Sequence, residues 1–372
     1  MKVVYDHQAF NLQARGGVSR YFSELASRLP DLSDCATEIV APVFTNQYLA
    51  GLRNVLVRGR RVPALRFTNW LRRSAADCIS CSILRHRQDV DIFHETFYSQ
   101  TECAPRGCKR VLTVFDMISE KFLRGVRGND ELLRTKAAAI ARADHIICIS
   151  ENTRRDLEQL LGVGGDKVSV VHLGHSLMTR AGERSSSFRG RRPYLLFVGT
   201  RGLYKNFPRL VEAYARSATL REGFDLLCFG GPQFSGEEKA MIDSQLASRE
   251  AVFHMEGDDD LLARVYRGAA ALVYPSRYEG FGLPPLEAMS LDCPVICSNA
   301  SSMPEIAGDA AMYFDPEDID DMKSAVERVV TDSSLSSSLI ARGRARARLF
   351  TWDRCARETY AVYEALLEAR AE

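Results

Sequence analysis

No run in this 372-residue chain approaches the roughly 18 consecutive apolar residues that a bilayer-spanning helix needs. The opening residues, MKVVYDHQAF, lack the basic-then-apolar pattern of a secretory signal peptide, so a cytoplasmic protein is expected. Charge of one sign is missing as well. The 49 Lys and Arg residues stand against 48 Asp and Glu, a net charge of +1, which gives the whole chain no pull toward nucleic acid. The first strand is not followed by a G-x-G-x-x-G turn, and no G-x-x-x-x-G-K-[ST] loop occurs. A dehydrogenase and a P-loop ATPase are therefore poor readings. Ten cysteines are present, but Cys78-x-x-Cys81 and the Cys103/Cys108 pair lack the His or second Cys pair of a zinc site. They are expected to be reduced, buried or incidental thiols.

What is present suits a soluble globular protein: 46% hydrophobic and 26% charged residues, in a length that calls for two domains. β-like runs (KVVY, EIVAPV, DIFH, RVLTVF, HIICIS, KVSVVH) alternate with helical periodicity at 17–29, 131–142 and 151–161. This rhythm predicts an α/β fold with a parallel, helix-covered sheet. It breaks at 176–193, SLMTRAGERSSSFRGRRP, a polar segment read as a linker. A second series follows, with strands YLLFVG, FDLLCFG, AVFHM, AALVYP and PVICS and a last long helix from about Trp352 to Leu367. The expected division is 1–180, 190–350 and a terminal helix at 351–372 that can cross back to the first domain.

The most informative segment is Tyr274 to Glu287, YPSRYEGFGLPPLE. Glu279 and Glu287 stand eight residues apart, around a Gly-Phe-Gly turn and a Pro-Pro pair. Prolines suit the first turn of a helix, where an N–H has no intrahelical acceptor. The reading places Glu279 in a loop, Gly280 to Leu283 at the helix mouth and Glu287 one turn inside. Backbone N–H groups and the positive dipole end of such a mouth favour phosphate. Ionised carboxylates are acceptors only, so sugar hydroxyls are their natural partners.

This segment resembles the signature of retaining glycosyltransferases of family 4. The flanking text CPVICSNASSMPEIAGDAAMYFDP, from Cys293 to Pro316, is also similar to that family. The resemblance implies the GT-B fold, two Rossmann-like domains facing each other across a cleft that holds a nucleotide-sugar. It further implies that Glu279 sits by the sugar or the reacting phosphate and that Glu287 holds the ribose. Phe281, Gly282 and Leu283 would supply backbone N–H groups to the donor. In the first domain, the Gly16-Gly17 loop ahead of a helix would face the diphosphate.

At the start of the second series, LFVGTRGLYKNF ends a strand and opens a helix. Gly199 marks the turn, and Lys205 and Arg201 are the cations that can neutralise a diphosphate leaving group. Relatives carry Arg directly before Lys-Asn; here Tyr204 takes that place, and Lys205 keeps the role with Arg201 as its partner. Relatives also carry a strand-end His-Asp pair on the sugar wall. Here Phe115 replaces the His and Asp116 remains, so His94 at the end of DIFH is the substitute imidazole. Asp258-Asp259-Asp260 precedes LLARVY and reads as a helix N-cap and first turn rather than a metal motif. The resemblance implies no essential metal.

The leading expectation is a retaining transferase that moves mannose, or a mannose-derived sugar such as perosamine, from a GDP-sugar. The acceptor would be a saccharide or polyprenyl-linked saccharide of O-antigen or exopolysaccharide. UDP-glucose is the alternative donor. A nucleotide-sugar epimerase and a non-catalytic nucleotide-sugar binder are the rival readings. Six arginines and no acid lie between Arg58 and Arg73, with Leu65, Phe67, Trp70 and Leu71 among them. Such a stretch can rest on an anionic membrane surface, on the inner face of the cytoplasmic membrane, or be a solvated helix face.

Overall fold

The computed structural model describes residues 1–12, 14–52, 54–62, 69–126, 128–175, 192–246 and 249–369, with the backbone alone for 69–73. The expected linker, save its last two residues, and residues 63–68 of the basic stretch lie outside the described residues. The chain forms two compact units, Met1–Gly174 with Trp352–Glu372, and His175–Thr351.

The first unit contains β1 (Lys2–Tyr5), α1 (Gln8–Leu12), α2 (Gly17–Leu32), β2 (Ala36–Phe44), β3 (Leu56–Arg61), α3 (Asn69–Leu84), β4 (Ile92–Glu95) and β5 (Lys109–Val114). It continues with α4 (Ile118–Phe122), α5 (Asn129–Arg142), β6 (His145–Cys148), α6 (Glu151–Leu161) and β7 (Val168–Val170). The seven strands form one sheet in the order β3-β2-β1-β4-β5-β6-β7, and every pair is parallel. β4 and β6 are buried at every position, as parallel strands covered on both faces must be.

The second unit runs β8 (Tyr194–Val198), α7 (Phe207–Arg216), α8 (Ala218–Gly223), β9 (Asp225–Phe229), α9 (Gly236–Gln245), β10 (Val252–Met255), α10 (Asp259–Gly268) and β11 (Ala271–Tyr274). Then come α11 (Leu283–Ser290), β12 (Val295–Ser298), α12 (Met303–Ala307), β13 (Ala311–Phe314), α13 (Ile319–Thr331) and α14 (Ser333–Ala347). Its six parallel strands are ordered β10-β9-β8-β11-β12-β13. The strand order reverses between β8 and β11, and in the first sheet between β1 and β4. Loops diverge at such a reversal and leave a crevice at the carboxyl ends of the strands.

The final helix, α15 (Trp352–Glu368), packs on α2 within the first unit. Trp352, Cys355, Ala356, Thr359 and Tyr363 form its buried stripe, at helical spacing.

Two features depart from expectation. Arg58, Arg60 and Arg61 lie on β3, the exposed edge of the first sheet, rather than on a helix. Charged side chains suit an edge strand because they block further pairing. Arg58 is engaged with Glu38 of β2, a carboxylate only 1% exposed that also takes Arg87 at 2.8 Å and Lys2 at 3.5 Å. The second departure concerns the thiols. Cys81 of α3 is disulfide-bonded to Cys103, not reduced, while Cys78 remains free and exposed. Sequence spacing gave no sign of this pair, because it joins a helix to a loop 22 residues away.

Candidate functional site

Two loops leave the carboxyl ends of β8 and β11, the neighbouring strands at the reversal in the second sheet. The first begins at Gly199, whose φ of +119° favours glycine. It continues through a 3₁₀ turn at Leu203–Lys205 to Asn206, which takes a left-handed conformation at φ +61° and caps α7. The Asn206 side chain donates to the Pro316 carbonyl at 2.8 Å, and Pro208 occupies the first turn of α7. The second loop is pinned by serines. Glu279 N–H donates to Ser301 Oγ at 2.9 Å, and the Ser302 hydroxyl donates to the carbonyls of Glu279 and Phe281 at 3.0 and 2.6 Å. Arg277 N–H donates to the Tyr204 carbonyl at 2.8 Å and joins the two loops.

Between them Lys205 Nζ lies 2.6 Å from Glu279 Oε1 and 2.9 Å from the Tyr274 hydroxyl. Both charged side chains are 11% exposed. The ammonium also sits 5.0 Å from the Tyr274 ring centroid and 5.6 Å from that of Tyr204, distances at which the ring face attracts a cation. Burial, and then the adjacent Glu279, push the Tyr274 phenol well above its ordinary pKa. It stays protonated and serves as a donor.

The helix mouth forms where the sequence placed it. Gly282 precedes α11 and takes a φ of +121°; a Cβ there would lie 2.5 Å from the Met303 methyl. Pro284 and Pro285 stand in the first turn and carry no N–H. The amide donors at this mouth are therefore those of Phe281, Gly282 and Leu283. Glu287 is buried one turn inside, where the Tyr266 hydroxyl of α10 donates to its Oε2 at 3.2 Å. Tyr274 and Tyr266 were not singled out from sequence. Tyr274 opens the YPSRYEG segment, whereas Tyr266 stands in α10 with no local signal.

Arg201 is not where a diphosphate partner was expected. Its guanidinium is 1% exposed, bonded to Glu238 at 2.6 Å and to the Pro232 carbonyl at 2.5 Å, and lies 4.7 Å from the Phe234 ring centroid. Its charge is neutralised by Glu238 and enclosed, which leaves it no open face toward a ligand. Asp258 accepts from Leu261 N–H at 2.9 Å as the cap of α10. Among the described residues no group of three or more His, Cys, Asp and Glu side chains could hold a metal ion.

In the first unit, Gly16 caps α2, its carbonyl accepting from Ser19 Oγ and Arg20 N–H, and Gly17 begins the helix. Asp116 is half-buried; its carboxylate accepts from Ile118 N–H at 3.0 Å and its carbonyl from Lys136 Nζ at 2.6 Å. Phe115 packs edge-on against Tyr21, with ring centroids 5.5 Å apart.

His94 is not the substitute imidazole of the sugar wall. It is 0% exposed, with Nδ1 2.6 Å from the Tyr363 hydroxyl of α15 and Nε2 2.9 Å from Thr113 Oγ1. Burial pushes its pKa down to about 3. A neutral, enclosed imidazole with both nitrogens engaged holds the core together and cannot touch a sugar.

Comparison with known proteins agrees with this architecture. Residues 15–178 match the family described as Glycosyltransferase Family 4, and residues 180–346 match Glycosyl transferases group 1. The chain is similar to O-antigen chain mannosyltransferase B of Escherichia coli, with 36% identity over 46% of each protein. It thus spans about half the length of that curated relative. Among solved structures, sucrose-phosphate synthase from Thermosynechococcus elongatus superposes with a TM-score of 0.72 at 20% identity, over 99% of both chains. Anabaena HepE, in a complex with UDP and glucose, gives 0.71 at 14% identity over 98% of this chain and 100% of that one. No helix among the described residues is long and apolar enough to cross a membrane. Two parallel Rossmann-like halves make the GT-B fold, and the chain belongs to the glycosyltransferases that join a family 4 domain to a group 1 domain.

Proposed function

We propose that the chain transfers mannose, or a mannose-derived deoxysugar such as perosamine, from a GDP-sugar to a saccharide or polyprenyl-linked saccharide in O-antigen synthesis. Anomeric configuration is retained, and no metal is required. The observation that carries the reading is the enclosed Lys205–Glu279 pair at the ends of β8 and β11, with Glu287 buried one turn into α11. The likeness to an O-antigen mannosyltransferase supports the sugar and the pathway.

The chemistry follows from charge. The bond between the anomeric carbon and the diphosphate oxygen breaks, and negative charge grows on the leaving diphosphate. Lys205 and the amides at the α11 mouth are preorganised to stabilise it, a kind of effect worth several kcal/mol. The acceptor hydroxyl bonds to the same face of the anomeric carbon, and its proton passes to the departing phosphate oxygen. Glu287 accepts hydrogen bonds from the ribose hydroxyls. Glu279, held by Lys205 and Tyr274, stands beside the transferred sugar. Neither carboxylate serves as a nucleophile.

UDP-glucose is the second reading for the donor, favoured by the HepE complex with UDP and glucose. A panel of nucleotide-sugars read by thermal shift decides, since a ligand that binds only the folded state raises the melting temperature by mass action. Stabilisation by GDP-mannose above UDP-glucose supports the proposal; the reverse order replaces it. No shift with any nucleotide-sugar removes the donor site. A lipid-linked acceptor goes with peripheral contact between the basic stretch Arg58–Arg73 and an anionic membrane. Salt-sensitive binding to anionic vesicles is then expected, and no binding at low salt refutes it.

A further inference from the structure

The turn after β9, Gly230-Gly231-Pro232-Gln233, lies against the loop that leads to Lys205. Gly199 N–H donates to the Phe229 carbonyl at 2.9 Å, and a Cβ on Gly231 would meet Thr200 Cα at 3.2 Å. Gly230 and Gly231 take φ values of +84° and +70°, which favour glycine. Two side chains grip the turn by its carbonyls. His254 of β10 places Nε2 3.2 Å from Gly230 O and 3.1 Å from Gly231 O. Arg201 donates to Pro232 O at 2.5 Å and reaches Gly230 O at 3.5 Å. The ring of Phe234 keeps both gripping groups in place, with the guanidinium 4.7 Å away and the imidazole edge-on at 6.0 Å. Glu238 fixes Arg201 from behind at 2.6 Å while its other oxygen accepts Ser235 N–H at 2.8 Å and closes the cap of α9.

A trans peptide holds its N–H opposite its C=O, and no cis bond occurs among the described residues. Turning the Gly230 and Pro232 carbonyls toward Arg201 therefore turns the N–H groups of Gly231 and Gln233 away from it. Pro232 has no N–H of its own. Among the described residues neither of those two N–H groups meets an acceptor. The turn offers two fixed amide donors at the same end of the sheet as Lys205.

We infer that Arg201 and His254 are positioning residues for donor binding: they hold this turn so that Gly231 and Gln233 N–H donate to acceptor atoms of the nucleoside diphosphate. The acceptors are carbonyl or ring-nitrogen atoms of the base, or phosphate oxygens. The inference rests on the proposed nucleotide-sugar donor. It gives Arg201 a part in binding that does not require it to touch the ligand.

The test is titration of GDP, guanosine and pyrophosphate into isotope-labelled full-length protein, following the Gly231 and Gln233 amide resonances, with dissociation constants measured in parallel. His254→Phe keeps a ring against Phe234 and loses the donor to both carbonyls; Arg201→Lys keeps the charge and loses the fork. Each is expected to weaken GDP binding about tenfold, the scale of one lost hydrogen bond. KM for the donor rises correspondingly and kcat changes less than about threefold. Both amides shift with GDP in the unaltered protein. A shift with guanosine alone assigns them to the base, and one with pyrophosphate alone to the phosphate. GDP binding that leaves both amides unmoved, or variants that bind GDP as the unaltered protein does, overturns the inference and leaves the proposed function standing. An unaltered protein that binds no nucleotide at all overturns both.

Discussion

Lys205 and Glu279 form an ion pair 2.6 Å long although 74 residues separate them, and each side chain is 11% exposed. The pair welds the β8 loop to the β11 loop, and removing one partner strands the other charge in a poor solvent. Lys205→Met is expected to lower stability by about 2 kcal/mol, and Glu279→Gln in the same chain to recover much of it. Denaturant unfolding of the two single variants and the double variant measures the coupling. Additive losses would mean that the two residues do not act as a pair.

Glu287 accepts a hydrogen bond from Tyr266 while one turn inside α11. Glu287→Gln retains an acceptor for that phenol but removes the charge that strengthens bonds from a ribose diol. Donor affinity is expected to fall about tenfold with little loss of melting temperature. Calorimetric titration with the nucleotide checks this. Unchanged affinity would take Glu287 out of the donor site.

Much of the local geometry around the candidate site in the second unit was legible because its signals are local. Gly282 and the two prolines dictate a helix mouth within a few residues of Glu279 and Glu287, and that mouth forms. Lys205 could be placed because a strand end and a helix start bracket it. The misreadings have long-range causes. A strand-end histidine looks alike whether it faces solvent or core, and what encloses His94 is Tyr363, 269 residues later. Arg201 is expected at the diphosphate from its loop position alone, and what draws it away is Glu238, which lies beyond β9. The arginines of β3 masked a strand whose pairing with β2 only the sheet reveals.

Gly282→Ala places a methyl group 2.5 Å from the Met303 methyl on a backbone at φ +121°. The expected cost is about 1–3 kcal/mol of stability. Met303→Ala in the same chain relieves the contact but not the backbone strain, so recovery is expected to be partial. Melting curves of Gly282→Ala, Met303→Ala and the double variant decide. An undisturbed Gly282→Ala protein would contradict the geometry of the helix mouth.

The enclosed His94 sets a pH dependence. Burial lowers its pKa from 6.5 to about 3, so between those values the unfolded chain binds a proton that the folded chain refuses. Stability therefore falls as pH drops below about 6.5, by up to about 1.4 kcal/mol per unit from this group. His94→Asn is expected to be less stable at neutral pH but to lose less on acidification. Unfolding free energies at pH 7, 6, 5 and 4 give the two slopes; equal slopes would mean that His94 is not held neutral in the core.

The most direct test of the central claim is the initial rate of GDP release from GDP-mannose, with and without a mannose-terminated acceptor, in the unaltered protein and in Lys205→Ala. Release is expected to require the acceptor and to fall roughly a hundredfold or more in the variant, the scale of losing one preorganised group that stabilises developing charge. Release that proceeds equally without acceptor, or at the same rate in Lys205→Ala, would contradict a sugar transferase built on the Lys205–Glu279 site.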